Sequence, residues 1–185
     1  TISARKLARS TSCRLGSCRR RCTLPTMSSR ADAASSAAFA AGSVLNIKSG
    51  RNVEIEQRTV HRHVWHSNEM PRDPSWPGWA FDLETVNESD GDMVVAVCLT
   101  HDVVPALKAH IAASLPFASS LLIARPTCGV GSRSVVCGQH AFDLAECLAL
   151  EINQRRSVNR RPLHLFIAAP NAFTFFLGQR QPGLG

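Results

Sequence analysis

Met93-Val94-Val95-Ala96-Val97-Cys98-Leu99 is a continuous apolar run rich in β-branched residues. A strand with no polar alternation has both faces covered, which is the condition of a strand inside a parallel sheet. Asp102 follows and is placed to cap a helix, with Pro105 tolerated in the first turn. Val104, Leu107, Ile111 and Leu115 recur at spacings of three and four, so that helix carries one apolar stripe, and Pro116 lies just past its end.

Outward from this unit the alternation repeats. Ser120-Leu121-Leu122-Ile123-Ala124 is a second short strand, followed by a Gly/Ser/Arg loop to Gly138. A longer helix is predicted over residues 139–154, with Phe142, Ala145, Leu148, Ala149 and Ile152 inward and Arg155 and Arg156 complementing the dipole at its C-terminus. Leu163-His164-Leu165-Phe166-Ile167-Ala168-Ala169 is a third strand. Asn171 stands as the cap of a short helix over residues 172–177, which Gly178 ends. Strand and helix alternating three times imply right-handed crossovers and an α/β domain with a mainly parallel sheet. Ligands of such sheets bind beyond the carboxyl ends of the strands. Those ends are Thr100-His101, the segment 125–137 and Pro170-Asn171.

Upstream, the chain is less ordered in pattern. Residues 1–45 form a basic and then Ala/Ser-rich extension, expected to be disordered, with a marginal helix over residues 33–44 to which no function is assigned. Residues 46–92 form an irregular segment with one or two short strands; residues 80–85 alternate Phe81, Leu83 and Thr85 against Asp82 and Glu84. Residues 93–185 are the organised half-domain. The net charge of +7 is concentrated in the extension, where Arg5, Lys6, Arg9, Arg14, Arg19, Arg20, Arg21 and Arg30 meet no acid before Asp32. A nucleic-acid-binding surface would place such a stripe within the folded part.

The seven cysteines show no C-x-x-C spacing, so neither a disulfide framework nor a zinc ribbon is indicated, and a reducing cytoplasm is the expected home. Cys98 and Cys147 are read as small buried hydrophobes. No apolar stretch reaches the roughly 20 residues that span a bilayer, so no membrane partner is expected.

The loop Gly129-Val130-Gly131-Ser132-Arg133-Ser134 lacks the third glycine of a dinucleotide fingerprint and follows the second strand rather than the first. It offers backbone N–H groups, serine hydroxyls, and Arg125 and Arg133 for phosphate oxygens. The candidate ligand-binding residues are therefore Thr100, His101, Arg125, Gly129, Gly131, Ser132, Arg133, Pro170 and Asn171. His164 is read as a hydrogen-bonded core histidine, and Trp76 and Trp79 as packing for a Pro-rich turn. His61, His63 and His66 lack a carboxylate at matching spacing, and no metal site is expected. The phosphate loop, the zinc helix and the nucleophile elbow are absent; Cys128 or Cys137 with His140 is a remote alternative as nucleophile and base.

The segment from His164 to Gln179, HLFIAAPNAFTFFLGQ, resembles the C-terminal signature of SAVED domains, a strand with His and Phe running into Pro and a short aromatic helix ending in Leu-Gly. Val94 to His101 and Ser134 to Ala141 resemble two further steps of that family, so the resemblance covers residues 93–185. It implies a Rossmann-like, CARF-related three-layer sandwich that senses a cyclic oligonucleotide in bacterial CBASS anti-phage defence. The implied ligand is a cyclic di- to tetranucleotide, with no cofactor. The implied partners are an effector domain, fused or in trans, and further copies of the chain on ligand binding. The chain is then a sensor and not an enzyme; the alternative is a nucleotide-processing enzyme such as a ring nuclease acting on the same messenger.

Overall fold

The computed structural model describes residues 22–23, 31–50, 53–58, 62–68, 70–156 and 159–184. Most of the basic arm, and His61, lie outside the described residues. In chain order the elements are β1 (Cys22–Thr23), α1 (Ala31–Val44), β2 (Val53–Arg58), β3 (Arg62–Trp65), β4 (Trp79–Thr85), β5 (Asp92–Cys98), α2 (Val104–Ser114), β6 (Ala118–Pro126), α3 (Gly138–Arg155), β7 (Leu163–Ala168), α4 (Asn171–Gly178) and α5 (Gln181–Leu184), with a 3-10 turn at Ile47–Ser49.

The apolar run around Val95 is the centre of a four-stranded sheet of order β4-β6-β5-β7. Both neighbours of β5 run parallel to it, Val95 lying opposite Leu122 on one side and Leu165 on the other. Every residue from Val94 to Leu99 is fully buried. Even-numbered Val94, Ala96 and Cys98 pack with Val104, Leu107 and Ile111 of α2. Odd-numbered Met93, Val95, Val97 and Leu99 pack with α3 and α4 on the opposite face. The chain moves one strand over from β5 to β6 and then back across β5 to β7, so right-handed crossovers require α2 and α3 to lie on opposite faces. The result is three layers.

The sheet is mixed: two of its three pairings are parallel, as expected, and the third is not. β4 pairs antiparallel with β6, Phe81 opposite Ala124, and closes that side of the sheet. Its expected alternation holds only for its first half: Trp79 and Phe81 turn inward, but Leu83 is 43% exposed. An edge strand needs no second apolar face, and beyond Phe81 the strand carries an ion pair, Glu84 with Lys108 of α2 at 2.7 Å, in place of apolar cover. A smaller sheet, β1-β2-β3, combines one parallel and one antiparallel pairing, and its Val53 and Trp65 join the α3/α4 core.

The 33–44 stretch is part of α1, which packs along α4 and contributes Ala38 and Phe39 to the core. The two helices cross where Gly42 faces the carbonyl of Phe175 and Gly178 faces that of Phe39. Gly178 is the last residue of α4, so it ends the helix as expected and also permits this approach, and the chain turns through Gln179 and Arg180 into α5. The indole Nε1–H of Trp79 donates to the Leu144 carbonyl at 2.8 Å, and Trp76 stacks on His140 with centroids 5.2 Å apart, so both tryptophans pack the Pro-rich turn. Cys98 is buried as expected. Cys147 is not: it lies on the exposed side of α3, outside the stripe of Leu144, Leu148 and Ile152.

Candidate functional site

Helices following β5 and its two neighbours leave on opposite faces, so the crevice that α/β sheets use for ligands opens around the carboxyl end of β5. The N–H groups of Leu99 and Thr100 both donate to the Ala168 carbonyl, at 2.8 and 2.9 Å, which sets Thr100-His101 beside the approach to Pro170-Asn171. On the other side the Gly131 N–H donates to the Leu99 carbonyl at 2.8 Å and draws the glycine loop onto the same strand end. All three sequence-predicted segments thus meet around β5.

Within this crevice Thr100 and His101 are exposed, and Thr100 Oγ1 lies 3.1 Å from His101 Nδ1. Gly129 and Gly131 have φ of +84° and +137°, backbone that a Cβ would strain. Their N–H groups are used internally, by Pro126 and Leu99 carbonyls, so they shape the loop rather than offering free donors. Ser132 and Arg133 form the exposed tip. Pro170 is partly exposed and occupies the cap position of α4, its carbonyl accepting from the Thr174 N–H. Asn171 is not the cap: it is the first helical residue, and its Oδ1 accepts from the Ser35 hydroxyl of α1 at 3.4 Å. Pro170 already has the extended ψ that a cap position needs, which moves the helix boundary one residue back.

Arg125 reaches the crevice from the end of β6 but is already paired, its guanidinium 3.1 Å from the Asp102 carboxylate. Asp102 accepts from the Val104 N–H at 2.9 Å and so starts α2 from one position before the formal cap. That backbone hydrogen bond, followed by Arg125, holds the Asp102 carboxyl below the usual carboxylate range. The Cys98 thiol, 3.6 Å from Asp102 Oδ1, is pushed up by burial. The role of Asp102 as counter-ion to Arg125 had no signal in the sequence, because the two lie on different elements and only the β5/β6 register joins them.

Neither cysteine makes a nucleophile–base pair with His140. Cys137 Sγ accepts from the His140 backbone N–H at 3.4 Å, while Cys128 Sγ faces the Gly129 and Arg133 carbonyls. The His140 ring is engaged by Val136 and Pro77. His164 is half-buried with Nε2 2.9 Å from Asp92 Oδ2, at the far end of the sheet. Among the described residues no group of three or more His, Cys, Asp or Glu is arranged to hold a metal ion, and no helix is long and apolar enough to cross a membrane. A cavity of about 650 Å³ lies away from the strand ends, between α1, β7 and α5, and is lined mainly by Phe39, Leu163, Leu165, Ile167 and Leu184. It contains none of the candidate residues.

Fold and strand-end arrangement define the class: an α/β domain whose parallel strands end at a crevice bordered by guanidinium and hydroxyl groups. The chain belongs to the SAVED family, the SMODS-associated and fused to various effectors sensor domain, whose family model matches residues 14–182. The match extends upstream of the 93–185 segment that carried the resemblance, and takes in α1 and the smaller sheet. In sequence the chain is 33% identical over 152 residues to CD-NTase-associated protein 4 of Enterobacter hormaechei subsp. hoffmannii (strain UCI 50), covering 82% of this chain and 30% of that protein. In structure it is similar to the Acinetobacter baumannii Cap4 SAVED/CARF-domain containing receptor, solved with the cyclic trinucleotide 3'3'3'-cAAA. That match has a TM-score of 0.55 at 19% identity and covers 81% of this chain and 32% of the other. The chain spans about a third of the length of each.

Proposed function

We propose that this chain is the part of a cyclic-oligonucleotide sensor that presents the carboxyl end of β5 to the messenger. The observation that carries the reading is the convergence of Thr100-His101, the 125–134 segment and Pro170-Asn171 on one strand end, in a chain of a sensor-domain family. The similar receptor was solved with a cyclic trinucleotide, and a ring of that class, within the di- to tetranucleotide range, suits this crevice. Its phosphates lie over the strand ends against Arg125, Arg133 and the Ser132 hydroxyl, and its bases meet Thr100, His101 and Asn171 beside Pro170. Binding is non-covalent and the ligand leaves intact. It favours association of copies and activates an effector, fused or in trans, in CBASS defence in the bacterial cytoplasm.

Isothermal titration with 3'3'3'-cAAA and with cyclic di- and tetranucleotides tests the reading. Arg133→Ala is expected to weaken binding about tenfold, the scale of one lost charge-assisted hydrogen bond, with the thermal midpoint unchanged. Normal binding by both Arg125→Ala and Arg133→Ala sinks the site assignment. Recovery of cleaved ligand sinks the sensor assignment.

Asp102→Ala separates two effects of opposite sign. Losing the cap of α2 is expected to cost about 1 kcal/mol of stability in denaturant titration. Removing the carboxylate that occupies Arg125 is expected to tighten binding of the anionic ligand several-fold. A variant that is less stable and binds more weakly would mean that Asp102 orients Arg125 rather than competing for it.

A further inference from the structure

His140 ties together three segments of which only one carries candidate ligand contacts. It lies in the first turn of α3 and is 3% exposed. Its Nδ1 lies 3.1 Å from the Val136 backbone N and must accept from that N–H. Its Nε2 lies 2.9 Å from the Pro77 carbonyl oxygen and must donate to it. These two partners select the neutral ring with its proton on Nε2. The Trp76 ring covers one face of the imidazole, and the His140 backbone N–H holds Cys137 Sγ. The glycine loop is thus held to the end of β5 through the Gly131 N–H and to His140 through Val136, while the Ser134 N–H and hydroxyl donate to the Gly131 carbonyl and Val135 is buried in the core. Ser132 and Arg133 lie on the short span between the pins.

We propose that neutral His140 is the positioning residue of the ligand loop, holding Ser132 and Arg133 over the end of β5, so that ligand affinity follows the neutral fraction of this ring. The inference rests on the sensor reading of the same loop. A second proton on Nδ1 turns the acceptor into a donor facing another donor, and the Val136 hydrogen bond is lost. Burial is the main influence on the ring and pushes its pKa below the ordinary histidine value; the Pro77 carbonyl and Asp143 act the other way. Asp143 stands one turn along α3, where Gln139 Nε2 donates to it at 2.8 Å and Arg72 pairs with it at 2.8 Å. Glu146, a turn further, faces Arg72 at 3.2 Å and Arg180 at 4.0 Å. Cys137 also touches this residue, its Sγ accepting from the His140 backbone N–H at 3.4 Å. Both carboxylates already face arginines, which leaves burial in control. Because the pKa is lowered in the pinned state, pinning is complete above the unpinned value of about 6.5 and is lost as pH falls through the pinned value.

Two readouts test this on the whole chain. Amide exchange of the Val136 segment, corrected for the intrinsic pH dependence of exchange, is compared at about pH 7.5 and about pH 5.5, either side of the free histidine value. Protection there is expected to fall about tenfold at the lower pH, while that of Val94 to Val97 in β5 stays constant. Affinity for 3'3'3'-cAAA is expected to fall by up to tenfold per pH unit below the His140 pKa. The series is repeated in His101→Gln, which removes the other imidazole close to the proposed ligand contacts. His140→Gln keeps an acceptor and a donor but cannot titrate, and is expected to remain pinned with a flat pH profile. His140→Phe is expected to lose protection at Val136 at both pH values. Equal protection of the Val136 segment in the parent chain at both pH values, or protection of that segment in His140→Phe equal to the parent's at about pH 7.5, overturns the proposal. Absence of 3'3'3'-cAAA binding at every pH counts against the sensor reading alone, because the exchange result still decides whether His140 pins the loop.

Discussion

Gly178→Ala is expected to lower the stability of this domain by about 3 kcal/mol, at the upper end of the usual cost of overpacking. Helix propensity argues the other way, since alanine is favoured over glycine by up to about 1 kcal/mol within a helix and by less at its last residue, where Gly178 stands. The packing decides the sign. A Cβ at Gly178 would stand 2.2 Å from the Phe39 carbonyl oxygen and 3.0 Å from the Phe39 Cα, backbone of α1 that cannot rotate aside. Gly42 makes the reciprocal contact, its added Cβ 2.1 Å from the Phe175 carbonyl oxygen. Either α1 lifts from α4 or both helices bend. For a chain of this size the loss corresponds to a fall in Tm of roughly 6–12 °C. Gly183, where an added Cβ meets nothing within 4 Å, supplies the control. A Gly178→Ala protein as stable as its parent would show that the two helices are not in close contact in solution.

Phe173→Ala is expected to cost about 4 kcal/mol, a large share of the 5–15 kcal/mol that holds a domain together. Phe173 is fully buried in the first turn of α4 and meets the edge of the Trp79 ring at 5.9 Å between centroids. Trp79 in turn ties edge strand β4 to α3 through the Leu144 carbonyl, so the cavity would open beneath two elements at once. Phe117→Ala, at a side chain 76% exposed, is expected to change stability by less than about 0.5 kcal/mol in the same denaturant titration. Near-equal unfolding midpoints for the two variants would contradict the packing described.

Phe173, Phe175 and Phe176 carry the most specific part of the resemblance, and all three are at most 2% exposed. They form the core under α1 and α3 rather than a ligand surface, with Phe176 meeting Phe142 edge-on and Arg180 lying over the Phe142 ring at 4.2 Å. The segment identifies the family through packing. The residues proposed to meet the messenger lie at the ends of strands, where exposure leaves no periodic pattern to read.

Local physics was enough for the frame. The unbroken, β-branched apolar run from Met93 to Leu99 has the length and residue types of a doubly covered strand, and the stripes on α2 and α3 follow from a period near four, so three strands, three helices and the carboxyl ends of the parallel strands were legible from the residues alone. Tertiary structure decided the rest because each remaining feature is a relation between segments far apart in sequence. The antiparallel seat of β4 depends on an open edge of β6, the docking of α1 on two glycines separated by most of the chain, and the pairing of Arg125 with Asp102 on the register of two strands. The same holds for Asn171, which reads as a cap in its own sequence window but spends its carbonyl on Ser35 of α1 once the helices cross. Periodicity reports which face of an element is buried; it carries no information on which other element lies against that face, and that choice is made by shape and backbone approach in the folded chain.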